Sequence, residues 1–308
     1  MNAPTTTTPP ADLRAGTPAK GRPAPPPSPP PSNGNGLPAN LIVPTLGKAE
    51  AKFQPPRIVV NGVEGWGKTT LAAFAPNPAI LMARGETGYE TLLGAGTVPN
   101  VDRSLIDTWP GLLALLDQLA DRDDLPYKTL ALDAMGGFER LCHEHVCTRD
   151  FKGEWGEKGF SSYQKGYDVS VTDWLGFLQR LDKINQRGVM ILILAHCQVR
   201  PFKNPLAEDY DHYIADVHYK TWGVTHKWVD AVFFANFVTV IDIDKKKGNR
   251  PRGIGGNDRI IFTQHHDAYD AKNRYSMQPE IDIPADPKQM WPTLWAAIKG
   301  DGNGKETT

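Results

Sequence analysis

Residues 62–69 read Gly62-Val63-Glu64-Gly65-Trp66-Gly67-Lys68-Thr69, a complete G-x-x-x-x-G-K-[ST] run. The pattern constrains the fold because each part has a mechanical task. Glycines let the backbone turn its N–H groups inward around a polyphosphate, the lysine reaches the β- and γ-phosphates, and the hydroxyl after it ligates Mg²⁺. The flanks fit as well. Arg57-Ile58-Val59-Val60-Asn61 is a short β-branched run of the kind that forms a buried strand. Residues 68–75 then read as a helix that stops before Pro76. Strand, glycine loop and helix start together place an anion at the positive end of a helix dipole. The binding set expected from this motif is Gly62, Val63, Glu64, Gly65, Trp66, Gly67, Lys68, Thr69 and Thr70.

Of 308 residues, 40% are hydrophobic, enough for one sizeable α/β core. The net charge of −1 supplies no bulk basic field, so any contact with nucleic acid must come from local patches. Cys142, Cys147 and Cys197 form no even framework, which favours a reduced, cytoplasmic setting. The longest apolar run, 189–195, is too short to span a bilayer, and the first residues have no signal-peptide core.

Residues 1–50 read as a disordered tail: the first 40 hold 12 of the 27 prolines, and 25–31 favour polyproline II. Residues 301–308 read as a second polar tail, leaving 51–300 as the folded core. Within it, strands are expected at 57–61, 79–83, 128–133, 189–196, 230–243 and 259–264, and helices at 68–75, 109–120, 136–148, 168–187 and 289–299. That alternation predicts an α/β fold with a mostly parallel central sheet covered by helices on both faces. Two long loops are expected, 149–167 and 199–221.

Asp133 closes the apolar run 129–133 and is the expected Mg²⁺ carboxylate. Glu86 follows the strand at 79–83, where a carboxylate could polarise the attacking water or simply occupy a surface turn. His196 and Gln198 end the run 189–198, and either could sense the γ-phosphate. The Cys142-His143-Glu144-His145-Val146-Cys147 segment lacks regular zinc spacing and reads as a packed helix.

Together these residues resemble the core of RecA-type recombinase ATPases, and more closely their short bacteriophage relatives that anneal single-stranded DNA. The resemblance spans about 55–282 and includes the phosphate loop, Glu86, Asp133, Ala195-His196, Gln198-Val199-Arg200 and Lys272-Asn273-Arg274 before Pro279. It implies a RecA-like ATPase using ATP and Mg²⁺, with Lys272 and Arg274 reaching a neighbouring subunit's nucleotide in a homo-oligomer. Two positions depart from the pattern: Arg84 stands where the relatives often have an acid, and Trp66 is bulky for such a loop.

By that resemblance the two long loops would take the places of the DNA-binding loops of RecA-like proteins. Lys152, Trp155, Lys158, Phe160, Tyr163 and Lys165 in the first, and Arg200, Phe202 and Lys203 in the second, combine stacking faces with cations. The basic run 245–252 reads as a hairpin tip suited to phosphate contact. The expectation is an ATPase acting on single-stranded DNA in annealing or strand pairing, with a single-strand-binding or other replication protein as a further candidate partner. A replication helicase or helicase loader, or a nucleotide-dependent binding module with little hydrolysis, are the alternatives.

Overall fold

The chain in the computed structural model is described over residues 46–48, 53–205, 208–243 and 251–300, and for 239–243 and 251–255 only in backbone. The proline-rich segment up to residue 45, the C-terminal 301–308 and Lys245 to Arg250 of the basic run lie outside the described residues. The chain divides into two units, Met1–Ala51 and Lys52–Thr308. In the first, Leu46 to Lys48 are exposed and without regular structure. All elements below belong to the second.

Its core is a sheet ordered β10-β8-β7-β1-β5-β4-β2-β3. The strands are β1 (Arg57–Gly62), β2 (Pro78–Ala83), β3 (Asp102–Ile106), β4 (Thr129–Asp133), β5 (Met190–Phe202), β6 (Tyr210–Ala215), β7 (Ala231–Ile243), β8 (Pro251–Phe262), β9 (Lys272–Asn273) and β10 (Glu280–Ile283). The run from β7 through β1, β5, β4 and β2 to β3 is parallel, while β8, β10, β9 and β6 join antiparallel. The mostly parallel α/β class predicted from the sequence is therefore what forms.

Burial on both faces explains the uninterrupted apolar strands. Val59, Leu81, Leu132 and Ile193 face one cluster with α3 (Trp109–Asp121), α4 (Met135–Phe151), α5 (Lys165–Gln186) and α6 (Tyr219–Trp228). Their neighbours Val60, Ile80, Ala131 and Leu192 face the other with α1 (Lys68–Ala73), α2 (Gly88–Gly94) and α7 (Pro287–Lys299). Helix ends carry local signals: Thr108 accepts from the Gly111 N–H at 3.2 Å with Pro110 beside it, and Asp286 caps α7 before Pro287, which ends at Gly300 with φ +79°.

Both expected long loops are shorter than the sequence suggested. Residues 199–221 are mostly a β-hairpin, in which β5 continues to Phe202 and pairs with β6 from Cys197↔Ala215 to Phe202↔Tyr210. In 149–167, α4 runs to Phe151 and α5 starts at Lys165. Expected strand 259–264 is the end of β8, which begins at Pro251 and forms a hairpin with β7. The elements α2, β3, α6, β6, β9 and β10 were not anticipated. Of these, β3 (DRSLI) is an edge strand with one buried residue, and α2 (GYETLLG) is short and bounded by glycines. Neither shows the apolar periodicity on which such assignments rest.

At the amino ends of β1 and β7, Arg57 binds Asp230 through its backbone N–H (3.0 Å), Nε (3.1 Å) and Nη2 (3.0 Å), and Asp182 through Nη1 (2.8 Å). Burial pushes the Asp230 carboxyl up, but the hydrogen bonds and charge of Arg57, with Arg274 behind them, outweigh it and hold it below its usual value. A depressed folded-state value adds stability above the unfolded-state value and loses it as pH falls through the folded one. Asp230→Asn should therefore lower the unfolding free energy at neutral pH by about 2 kcal/mol. In urea titrations across pH the deficit should vanish below roughly pH 3.

Candidate nucleotide site

The phosphate loop forms where β1 emerges between β5 and β7. A side chain at Gly62 would meet the Ala235 carbonyl oxygen at 2.4 Å, so only glycine lets the chain leave the sheet there. Gly65 and Gly67 take φ of +74° and +104°, turning the backbone into α1. The loop is then tied to the β7–β8 hairpin. The Val63 N–H donates to Ala235 O (3.1 Å), Trp66 Nε1 to Asn236 O (2.9 Å), and Arg259 Nε to Trp66 O (2.6 Å). This accounts for the bulk of Trp66: its ring is fully buried in the core beneath the loop, against α1 and α7.

Lys68 follows, 7% exposed, with Nζ donating to its own loop at Gly62 O (2.8 Å) and Val63 O (2.9 Å). Burial pulls its ammonium below the usual value, against the opposing charges of Cys197, Asp133, Glu64 and Glu86. Thr69 Oγ1 donates to Asp133 Oδ2 at 2.7 Å, joining the start of α1 to the end of β4. Asp133 is 6% exposed and its carboxyl is pushed up by burial, with Thr69, His196 and Lys68 opposing. Glu86 lies in the turn after β2; burial and the charge of Asp133 raise its carboxyl. His196, at the end of the parallel part of β5, has a buried Nδ1 with no hydrogen-bond partner.

These groups line one cavity of about 590 Å³, which contains Lys68, Thr69, Glu86, Asp133, His196 and Arg259 in its wall. The strand carrying Asp133 is separated from β1 by β5, so loop, acid and His196 arrive from three adjacent strands at their carboxyl ends. The Thr69 hydroxyl beside the Asp133 carboxylate, with Glu86 in the same wall, offers a cation oxygen ligands, and that set fits Mg²⁺ rather than a soft metal.

Not all expected site residues converge there. Gln198 is half-buried with an unpartnered Nε2 but does not line the cavity. Lys272 and Arg274 lie on and after β9, which pairs with Ala231 and Val232 at the amino end of β7, the end of the strands opposite the loop. Lys272 Nζ donates to His226 O and Arg274 Nη1 to Asp230 Oδ1 (2.8 Å). Conversely, Arg259 was missed. It opens the strand expected at 259–264, but no spacing in the sequence announces that a hairpin returns it to the phosphate loop.

Of the residues expected to contact DNA, Trp155 is 48% exposed, Tyr163 101% and Phe202 45%, and Lys152, Lys158, Lys165, Arg200 and Lys203 are exposed. Phe160 is a correction. It is 0% exposed, packed on Val146 and Cys147 with the Trp155 and Tyr167 rings 5.0 and 4.9 Å away, and has no face left for a base. The 142–147 segment is part of α4: Cys142 and Cys147 are buried, and His143 packs on Tyr167. No helix among the described residues is long and apolar enough to cross a membrane.

No curated protein matches the sequence. Among solved structures, the crystal structure of the RadB recombinase is similar over 77% of this chain and 90% of that one, at 11% identity and a TM-score of 0.43. Such a likeness assigns no residue roles. The family comparison reaches further, because residues 54–275 match the AAA domain family over well more than half of the sequence. That stretch holds the phosphate loop, the paired Thr69 and Asp133 and the hairpin that grips them, and the chain belongs to the AAA domain family.

Proposed function

We propose that the chain is an Mg²⁺-dependent ATPase acting on single-stranded DNA, in annealing or strand pairing. The observation that carries the ATPase reading is the shared cavity in which Lys68, Thr69, Asp133 and Glu86 meet. Lys68 would exchange the carbonyls of Gly62 and Val63 for β- and γ-phosphate oxygens, which restores an anion to a buried ammonium. Thr69 and Asp133 would hold the Mg²⁺ shell, and the ion would neutralise charge on the phosphates. Glu86 would orient water against the γ-phosphorus and take its proton as the bond to the β–γ bridging oxygen breaks. Its raised carboxyl value brings it nearer to a working base at neutral pH. His196 would hydrogen-bond the terminal phosphate.

The DNA reading is supported by exposed Trp155, Tyr163 and Phe202 among exposed Lys152, Lys158, Lys165, Arg200 and Lys203. Lys272 and Arg274 would act on a neighbouring subunit only after leaving their internal partners, so an oligomer would form at the expense of the Arg57–Asp230–Arg274 cluster.

Lys68→Ala should abolish nucleotide binding measured by isothermal titration. Glu86→Gln should keep binding within about threefold while turnover falls about a hundredfold or more. Equal losses of binding and turnover would remove Glu86 from the water. Trp155→Ala with Tyr163→Ala should weaken binding of a labelled oligonucleotide by at least about tenfold at fixed salt. Unchanged retention of the oligonucleotide would place DNA elsewhere, and unwinding without annealing would favour a motor role.

A further inference from the structure

Arg259 is the cation of the phosphate cavity that the motif does not predict. Its Nε is spent on the Trp66 carbonyl at 2.6 Å, and the half-buried guanidinium forms part of the cavity wall with Lys68, Thr69, Glu86 and Asp133. A Cβ placed on Gly67 would lie 3.7 Å from Nε and 3.8 Å from Nη2, so the guanidinium rests against the backbone of the loop. Among the described residues no carboxylate pairs with Arg259, and its two terminal nitrogens make no hydrogen bond. Most other arginines of the core have an acid partner: Arg57, Arg84, Arg103, Arg140, Arg149, Arg180 and Arg274 each form a salt bridge.

The fold holds it there. Arg259 is in register with Phe237 of β7 and Ile283 of β10, so its strand is paired on both sides. The β7–β8 ladder then slips between Phe237 and Thr239, immediately beside that pair. An irregularity of this kind adds local twist and re-aims side chains. The Nε bond fixes the plane of the guanidinium and leaves Nη1 and Nη2 without a protein partner among the described residues, in a cavity wall that also carries Glu64, Glu86, Asp133 and Lys68.

We propose that Arg259 is a catalytic residue supplied by the same chain, whose Nη1 and Nη2 donate to oxygens of the terminal phosphate of the bound nucleoside triphosphate. The assignment rests on the nucleotide reading above. A planar fork suits two phosphate oxygens at once, and charge so placed grows in value as the β–γ bond breaks. It also gives the site a cation that does not wait for a neighbouring subunit, unlike Lys272 and Arg274, which are held at the amino ends of the strands.

The test compares fluorescent ATP and ADP binding, and ATP turnover, in the full chain and in Arg259→Ala and Arg259→Gln. Glutamine keeps an N–H able to reach the Trp66 carbonyl but no charge, so it reports on the phosphate contact even if the alanine variant unfolds. Both should bind ATP about ten- to a hundredfold more weakly, with ADP affinity within about threefold of wild type. Equal losses for ATP and ADP would make Arg259 a brace for the loop, and unchanged ATP affinity and turnover would remove it from the site; either overturns the proposal. Equal mixtures of Arg259→Ala and Lys68→Ala protein should recover no turnover, whereas recovery would place Arg259 on a neighbour's nucleotide. If wild type binds neither nucleotide, the nucleotide reading itself fails, a result separable from a normal wild type with an unaltered Arg259 variant.

Discussion

The site depends on the grip of the β7–β8 hairpin on the phosphate loop. Glycine-rich loops have little shape of their own, because glycine accepts most backbone angles at similar cost. Here the shape is imposed from outside, by Ala235 O on the Val63 N–H, Asn236 O on the Trp66 indole and Arg259 on the Trp66 carbonyl. The Trp66 ring adds the burial of a large apolar surface to those bonds, on the order of 3 kcal/mol. The loop is thereby held by contacts within the chain itself, and an ordered loop loses less entropy on binding.

Gathering charged groups in a buried wall costs solvation. Lys68 is buried and shifted downward, Asp133 is buried and Glu86 half-buried and both are shifted upward, and Asn61 in the strand behind them has neither amide atom partnered. On the proposed nucleotide reading, Lys68, Asp133 and Glu86 would gain from a polyphosphate and cation, since charges in a low-dielectric wall interact strongly once paired. The opposite ends of the strands show the contrasting arrangement. There Arg57, Asp230, Asp182 and Arg274 are paired with one another, and their charges serve cohesion. One sheet thus carries satisfied charge at the amino ends of β1 and β7 and unsatisfied polar groups at the carboxyl ends of β1 and β5.

Much of this was legible in the chain. The phosphate loop, Asp133 and the buried strands could be read because their signals are local: fixed spacing, or an unbroken apolar run over five or six residues. Glu86 and His196 could be placed at strand ends, where parallel sheets gather their ligands. Helix α2 and strand β3 escaped because short, polar-flanked elements owe their form to packing rather than to pattern. The hairpin from β5 to β6 reads as a loop in the sequence because its aromatic and charged residues alternate on an exposed surface, where hydrophobicity gives no period. Phe160 illustrates the limit. Beside Trp155 and Tyr163 it looks like a third exposed ring, and only the fold shows that Gly166 opens the space it fills.

The sequence by itself determined that a phosphate loop sits between a strand and a helix in a parallel α/β core, with an acid at the end of a second strand. Those features follow from residue spacing and backbone freedom within a few positions. The tertiary structure decided which polar groups share a cavity. It brought Arg259, 193 positions away, onto the Trp66 carbonyl, and it held Lys272 and Arg274 at the opposite ends of the strands. Contacts of that range depend on strand order and hairpin register, which arise from the burial of both sheet faces at once and leave no local mark in the chain.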